Sequence, residues 1–311
     1  MRKLRSPRDG IDSPFGARRL FNPIALFAKG EAGAWYEPSD TTAFLSTTDL
    51  TPCGETDPCG FLLDKSQGAG YSGGSFTGLG SELVEDGNWT AFGVAGGVET
   101  PGRVTVTDGE ITLDVSGVNT AAQVGFTTVV GTWYRVEFEC ATNPFRFWAG
   151  PTDTEFAVDT ARRVVNASSA TGTFEAVFQA TATTTYFNLH GDDGGDNIYV
   201  FDNVTIKELS GNHASQGTAA ARPTLERTAG GLWYLHDDEV DDVLNWSAPS
   251  GTYTVARVNS AGTVTIQTSQ SLNGDTDILI DAETVGYVAV DRALTASETS
   301  KLTSYLEALA S

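Results

Sequence analysis

Leu63-Asp64-Lys65-Ser66 stops at a Gly-rich run, and Gly211-Asn212-His213-Ala214-Ser215-Gln216 resumes after a long stretch rich in β patterns. How these two fragments are read decides the fold, because the residues between them pattern as a body of their own. From Gln67 to Gly80 the chain is mostly Gly, Ser and Thr, the composition of a flexible hinge. Leu79-Gly80-Ser81-Glu82-Leu83-Val84-Glu85-Asp86-Gly87-Asn88-Trp89 then opens a series of alternating runs. Tyr134, Val136, Phe138 and Cys140 share one strand face, while Trp133, Arg135, Glu137 and Glu139 take the other. Phe174, Ala176 and Phe178 alternate likewise, as do Phe187 and Leu189 against Tyr186, Asn188 and His190. These apolar sets predict one core between two sheets. Cys140 reads as a small buried hydrophobe and not as a nucleophile. Tyr199 to Lys207 closes the segment. When first and last strands lie side by side, such a body enters and leaves one loop of a host domain with little strain.

The flanking residues pattern as that host. Gly33-Ala34-Trp35-Tyr36-Glu37-Pro38-Ser39-Asp40 gives a strand ending in a turn. Thr51 to Gly60 reads as a hairpin with Cys53 and Cys59 about a tight turn. A cross-strand disulfide there would contribute roughly 2–2.5 kcal/mol on the chain-entropy model. After Arg222-Pro223-Thr224-Leu225, the run Gly231 to His236 is a strand expected to share a sheet with Trp35-Tyr36. Further strands are expected around Tyr253–Val258, Val264–Thr268 and Ile278–Ile280. Val285 to Val290 is a strand followed by Asp291-Arg292-Ala293-Leu294-Thr295-Ala296-Ser297-Glu298, where Thr295 and Glu298 have capping-box spacing. Leu302, Tyr305, Leu306 and Leu309 fall at i, i+3, i+4 and i+7 and predict a helix of three to four turns. The class is all-β, with two β-sandwich domains, one inserted in the other, an extended N-terminal arm and a C-terminal helix. The boundaries are 1–30 for the arm, 31–66 plus 211–311 for the outer domain, 67–80 for the hinge and 81–210 for the insert.

A chain of 311 residues is long enough for two cores. No run of about 18 apolar residues occurs, so no membrane insertion is expected. No apolar h-region follows the basic N-terminus, so no Sec-type signal is expected either. Residues 1–19 hold six basic side chains (Arg2, Lys3, Arg5, Arg8, Arg18, Arg19) against Asp9 and Asp12, in a chain of formal charge −21. An acidic body repels nucleic acid, while a basic arm favours an acidic docking surface. Pro7, Pro14, Gly16 and Pro23 keep the arm extended. Its apolar residues Phe15, Leu20, Phe21, Ile24, Leu26 and Phe27 are too many for pure disorder. The docking set is therefore Arg2, Lys3, Arg5, Arg8, Phe15, Arg18, Arg19 and Phe21, ordering against a partner subunit; packing on its own domain is the alternative.

Joined across the gap, the two opening fragments read LDKS–GNHASQGTAAARPTL. Together with GAWYEPSD at Gly33–Asp40, this phrase resembles the outer module of fibre, spike and other surface proteins of tailed bacteriophages and phage-like gene transfer agents. The Leu79–Trp89 opening is similar to that of carbohydrate-binding-like jelly rolls, which phage fibres often carry, and Tyr199–Lys207 is similar to their closing strand. Asp237-Asp238-Glu239-Val240-Asp241-Asp242-Val243-Leu244 looks like the F-D-G-x-D-D-x-L phrase of laminin-G-like sandwiches, with Glu239 in place of the usual Gly. The strand–DRALT–helix ending resembles laminin-G-like domains in phage proteins.

The resemblance implies a laminin-G-like outer module carrying an inserted jelly roll. It further implies a non-enzymatic virion structural protein at the particle surface, as a head spike, head fibre or tail fibre component. Such a protein would be a homo-oligomer, dock on other capsid or tail proteins, and present the insert to host surface polysaccharide for attachment. Resembling jelly rolls often hold a structural Ca2+ near the first and last strands. Asp86 and Asp202 are the candidate ligands here, with the Asp192–Asp196 loop as a further option, and no other cofactor is expected. At Cys53 and Cys59 the resembling proteins usually carry apolar residues.

Catalytic signatures are missing from the sequence. His190, His213 and His236 are the only histidines, none in HExxH, and no Cys/His cluster has zinc spacing. Neither a G-x-S-x-G elbow nor a P-loop occurs. Acidic pairs lie in Gly-rich or turn-like contexts and read as solvated turns, although a glycosidase needs only two carboxylates. Glycan recognition requires aromatic platforms beside polar groups. Trp133, Arg135 and Glu137 supply that on one non-core face, Arg146 and Trp148 on a neighbouring run, and Tyr186, Asn188 and His190 on a third. Packing against the other sheet or another subunit is the alternative for these side chains. Two other functions stay open: a secreted glycan-binding module, which needs an export route, and a polysaccharide-degrading enzyme, which needs a cleft with paired carboxylates.

Overall fold

The computed structural model describes residues 21–46, 50–72, 75–84, 89–93, 103–116, 120–142, 145–151, 163–165, 171–191, 198–279 and 282–311. The chain is all-β apart from short 3-10 turns and one C-terminal helix. It enters with β1 (Gly33–Tyr36), β2 (Phe44–Leu45) and β3 (Phe61–Leu62), then makes a small antiparallel hairpin of β4 (Gly70–Ser72) and β5 (Ser75–Thr77). Eleven strands follow: β6 (Leu79–Glu82), β7 (Thr90–Gly93), β8 (Val104–Thr107), β9 (Glu110–Asp114), β10 (Thr120–Thr127), β11 (Trp133–Cys140), β12 (Phe145–Gly150), β13 (Arg163–Val165), β14 (Gly172–Gln179), β15 (Thr184–Gly191) and β16 (Ile198–Leu209). The chain then returns through β17 (Ala214–Ser215), β18 (Thr224–Arg227), β19 (Trp233–His236), β20 (Asn245–Asn259), β21 (Val264–Asp277) and β22 (Glu283–Val290) to α1 (Ala296–Leu309).

Strands before Ser66 and after Gly211 hydrogen-bond to one another in a single nine-stranded sheet, ordered β18-β19-β22-β20-β17-β3-β2, with β1 on β22 and β21 on β20. β20 spans it, with register irregularities at Ala248/Gly251 and Tyr253/Val255 that let one long strand serve both halves. The expected kinship of β1 and β19 is indirect, since both pair with β22. The intervening strands form a six-stranded sheet (β14-β11-β16-β9-β8, with β6 on β16) and a five-stranded sheet (β13-β12-β15-β10-β7). These two sheets enclose one core, in which Phe138 lies within 4.8–6.2 Å, ring to ring, of Phe145, Phe147, Phe174, Phe187 and Phe201. Cys140 is buried there, its thiol donating to Thr142 O at 2.9 Å and pushed up to about 11 by burial.

One carboxylate holds the seam. Asp64 is completely buried. Its Oδ1 accepts the backbone N–H of Trp35 and of Ser66, both at 2.8 Å. Its Oδ2 accepts the Ser66 hydroxyl at 2.8 Å and the Asn212 N–H at 2.7 Å. The Asp64 N–H donates to His213 Nδ1 at 3.0 Å, so the neutral imidazole keeps its proton on Nε2, which faces Leu209 O at 3.3 Å. Asn212 Nδ2 donates to Gly33 O at 2.6 Å, and Tyr36 Oη donates to Asn212 O. Two glycines are required by close approach. Gly211 has φ +122°, and a Cβ there would stand 3.0 Å from Asp64 Oδ2; at Gly33 (φ +148°) it would stand 1.9 Å from Ala289 O. Lys65 adds ion pairs to Glu37 (2.6 Å) and Asp40 (2.9 Å) and lies over the Trp35 ring. The phrase that led the sequence reading is thus mainly a clasp.

Several expectations are corrected. The 67–80 hinge is the β4–β5 hairpin, whose Phe76 is buried in the outer core and stacks edge-on to Tyr71 at 4.8 Å. At its end Ser210 N–H donates to Gly78 O at 3.1 Å, and β6 runs antiparallel to β16, with Leu79 opposite Leu209. Residues 21–30 of the expected arm fold back: Asn22 caps a 3-10 turn at Pro23–Phe27 that buries Leu26 and Phe27 against the helix-side core, with Phe21 partly buried beside them. The docking candidates Arg2, Lys3, Arg5, Arg8, Phe15, Arg18 and Arg19 lie outside the described residues. Cys53 and Cys59 are buried free thiols, with no disulfide between them; they sit in the β2–β3 loop, which docks on β18 through Thr56 N–H to Leu225 O (2.7 Å) and Cys59 N–H to Pro223 O (2.8 Å). Ile278 and Leu279 are buried but not in a strand, since Asp277 Oδ1 takes the N–H of both Leu244 and Leu279 at 3.0 Å.

The C-terminal helix follows its sequence signals. Thr295 and Glu298 form the capping box, and Leu302 and Leu306 are buried. Arg292 forks onto Glu298 (2.9 and 3.1 Å) and reaches Glu31 at 3.0 Å, tying the helix start to the chain entry. Glu298 is held down to about 2, chiefly by Arg292.

Asp64→Asn would turn an NH2 toward N–H donors. It should cost about 2–4 kcal/mol in urea unfolding, because buried donors lose their acceptor. The pH profile of that variant carries a second check. Burial pushes Asp64 up to about 6 and His213 down to about 3. Asp64 therefore takes up a proton more readily folded than unfolded, which favours folding as pH falls from 6 toward 4. Over the same range His213 resists the proton that the unfolded chain accepts, which disfavours folding. Without Asp64 the variant should lose stability more steeply than wild type between pH 6 and 4. Excising Leu79–Leu209 and joining Gly78 to Ser210 through a short Gly-Ser link should leave a protein that unfolds cooperatively, at lower stability because Trp133, Val177 and Leu209 leave the outer core. A broad, non-cooperative transition would contradict the closed seam.

Candidate functional site

The five-stranded sheet of the insert has one face on the phenylalanine core, set by Ala122, Val124 and Phe126 of β10, Phe145 and Phe147 of β12, and Phe187 and Leu189 of β15. Period-two alternation sends the residues between them to the opposite face. Register then builds a grid around β15. Tyr186 stands between Gly125 and Gly150, Asn188 between Gln123 and Trp148, and His190 between Ala121 and Arg146. The Tyr186 ring lies against Gly125, where a Cβ would come within 2.8 Å of Cε1. Gln123 Nε2 donates to Asn188 Oδ1 at 2.8 Å, and Trp148 and His190 rings sit 6.0 Å apart. Gln123, Asn188 and His190 are buried, whereas Tyr186, Trp148 and Arg146 stay partly exposed. The face thus offers two rings and a guanidinium above a buried amide pair, a chemistry suited to stacking a flat apolar surface while bonding hydroxyls.

Five of the eight expected glycan-binding residues (Arg146, Trp148, Tyr186, Asn188, His190) therefore meet on one face. The other three do not join them. Trp133, Arg135 and Glu137 belong to β11, in the opposite sheet, and are turned against the outer body. Trp133 packs edge-on to Phe61 at 4.7 Å, and Val177 of neighbouring β14 is buried in the outer core. Arg135 is 7% exposed and ion-paired to both Glu175 and Glu137. Alternation alone gives β11 and β15 equal standing; only the packing of insert on host separates them. Gln123 was missed, although Thr120-Ala121-Ala122-Gln123-Val124-Gly125-Phe126 alternates, because its register against Asn188 is long-range.

Of the calcium candidates, Asp86 and the Asp192–Asp196 loop lie outside the described residues. Asp202 lies opposite Glu139 and, with Glu110, Glu139 and Gly172, lines a hollow of about 470 Å3. A different acidic group, Asp237, Asp238 and Asp242, brings carboxylate oxygens within 4.8 Å of one another and could hold a cation. Its loop is also stapled internally: Asp238 Oδ1 accepts Val240 N–H at 2.9 Å and Asp237 Oδ1 accepts Glu239 N–H at 2.7 Å. Glu239 has φ +59°, which explains why a Gly suits this position in the phrase it resembles.

No family model matches the chain, and no curated protein matches it. Among solved structures it is similar to the enzymatically active domain of bacteriophage CBA120 tailspike protein 4, at 14% identity and TM-score 0.30, over 41% of this chain and 21% of that one. It is similar to a structure described as CBM4, at 14% identity and TM-score 0.29, over 39% of this chain and 86% of that one. The adhesin domain of Epf from Streptococcus pyogenes matches at 10% identity and TM-score 0.32, over 64% and 84% respectively. The chain spans about a fifth of the tailspike chain it matches.

Glu239→Gly should raise stability by about 0.5–1 kcal/mol in chemical denaturation, since relief of left-handed strain exceeds the added freedom of the unfolded chain. No gain would show that the loop holds Glu239 without strain.

Proposed function

We propose that this chain is a non-enzymatic structural protein of a phage or phage-like particle, a head spike, head fibre or tail fibre component, which presents its inserted β-sandwich to host surface polysaccharide. The observation that carries the binding role is the grid on the five-stranded sheet, where Trp148 and Tyr186 flank the Gln123–Asn188 amide pair. A sugar ring laid on Trp148 or Tyr186 would bury its CH face and turn its hydroxyls toward those amides and Arg146. The insert's other sheet is occupied by the outer body through Trp133 and Phe61, so the grid faces away from the host module. The particle role rests on the phrase spanning the seam. In this reading the basic segment before residue 20 docks on other particle proteins, the chain is a homo-oligomer, and any bound Ca2+ is structural.

A glycan array with purified protein, paired with a depolymerase assay, tests both halves. Binding without cleavage is expected. Trp148→Ala should weaken polysaccharide binding at least tenfold, about 1.4 kcal/mol, with an unchanged fold. Trp133→Ala should lower stability while leaving affinity intact. Cleavage would remove the non-enzymatic reading, and equal affinity in Trp148→Ala would remove the site.

A further inference from the structure

β21 (Val264–Asp277) is an edge strand that pairs only with β20. Among the described residues its outward edge takes no backbone hydrogen bond from another segment. At 14 residues it is the longest edge strand described, and a free edge of that length is normally blunted by lysine, proline or a covering element. Among the described residues no lysine, proline or covering element blunts it, and the bulge at Ser269 is the one such device present: Val264–Gly274 reads VTIQTSQSLNG, without charge or proline, and Gln267, Thr268, Ser269, Ser271 and Asn273 are exposed. The uncharged stretch is wider still, since residues 245–274 hold one charged side chain, Arg257, in a chain where 19% of residues are charged. The edge strand at the sheet's end, β18, carries Glu226 and Arg227. Ser269 (φ +58°) adds a bulge that divides β21 into Val264–Thr268 and Gln270–Gly274, each of ordinary strand length.

We propose that β21 is an assembly edge, which pairs antiparallel with β21 of a second copy of this chain. The charge pattern selects that occupant. Copies with a formal charge of −21 repel one another wherever carboxylates line their surfaces. Strand pairing brings backbones to about 4.8 Å, which an uncharged edge tolerates and an acidic one does not. A foreign acidic or basic partner would find no countercharge on Val264–Gly274. Antiparallel self-pairing is isologous, and it sets Asp275 and Asp277 of the two copies at opposite ends. The inference locates the homo-oligomer contact of the proposed function and rests on that part of it; it is independent of polysaccharide binding.

The test uses the full chain, sedimentation velocity over a range of concentrations and hydrogen exchange. The wild type should sediment as a dimer or a multiple of one, with protected amides in 264–274. Gln267→Glu with Ser271→Glu opposes like charges across the two-fold and should halve the assembly and release those amides, with unchanged circular dichroism and unchanged polysaccharide binding. Gln267→Lys with Ser271→Lys should do the same, and a neutral Gln267→Asn control should not. A wild type that is monomeric throughout, or variants that keep the wild-type assembly, would overturn the proposal whatever the glycan array shows.

Discussion

Everything in this architecture depends on a buried carboxylate finding enough donors. Asp64 sits in the outer core without contact to water, and Trp35, Ser66 and Asn212 supply the N–H and O–H groups that replace it. An isolated buried charge would be untenable, so the three segments are not free to part singly. One comes from the first strand, one from the departure into the insert, one from the return. The outer sheet can therefore be interrupted by more than a hundred residues and still close. His213 fills the remaining place by accepting the Asp64 N–H, which requires it to stay neutral.

Closure at the seam also fixes how the guest sits. β6 and β16 leave and re-enter side by side, and the β4–β5 hairpin wedges Phe76 into the host core. Trp133 on Phe61 and Val177 in the host core then bind one sheet of the insert to the host. Within that sheet the buried Arg135–Glu175 pair ties β11 to β14; a pair of this kind adds little net stability, but breaking it is costly. The opposite sheet turns away from the host, with Tyr186 and Trp148 partly exposed around the buried Gln123–Asn188 pair.

Local signals in the sequence were read well. The Thr295–Glu298 capping box and the i, i+3, i+4, i+7 spacing gave the helix, and the alternation of Tyr134, Val136, Phe138 and Cys140 gave an inward strand face. What escaped depends on contacts between distant residues. Glycine richness at 67–80 suggested a hinge because composition does not show that Phe76 has a core to enter. For the apolar residues Leu26 and Phe27 of the arm, ordering on a partner and packing on their own domain both stayed open, because nothing local shows that Arg292 and the helix await them. Trp133 and Trp148 carry the same pattern, and their different fates follow from which sheet the host covers. Asp64 itself was quoted from the start, but its role becomes visible only when Trp35 and Asn212 are brought to it.

Native-state hydrogen exchange at the Trp35, Ser66 and Asn212 amides tests the central claim most directly. If one carboxylate holds all three, they should exchange together, at the free energy of global unfolding of the outer body. An Asn212 amide that exchanges through a low-energy local opening while Trp35 stays protected would show that the return segment is held by something else.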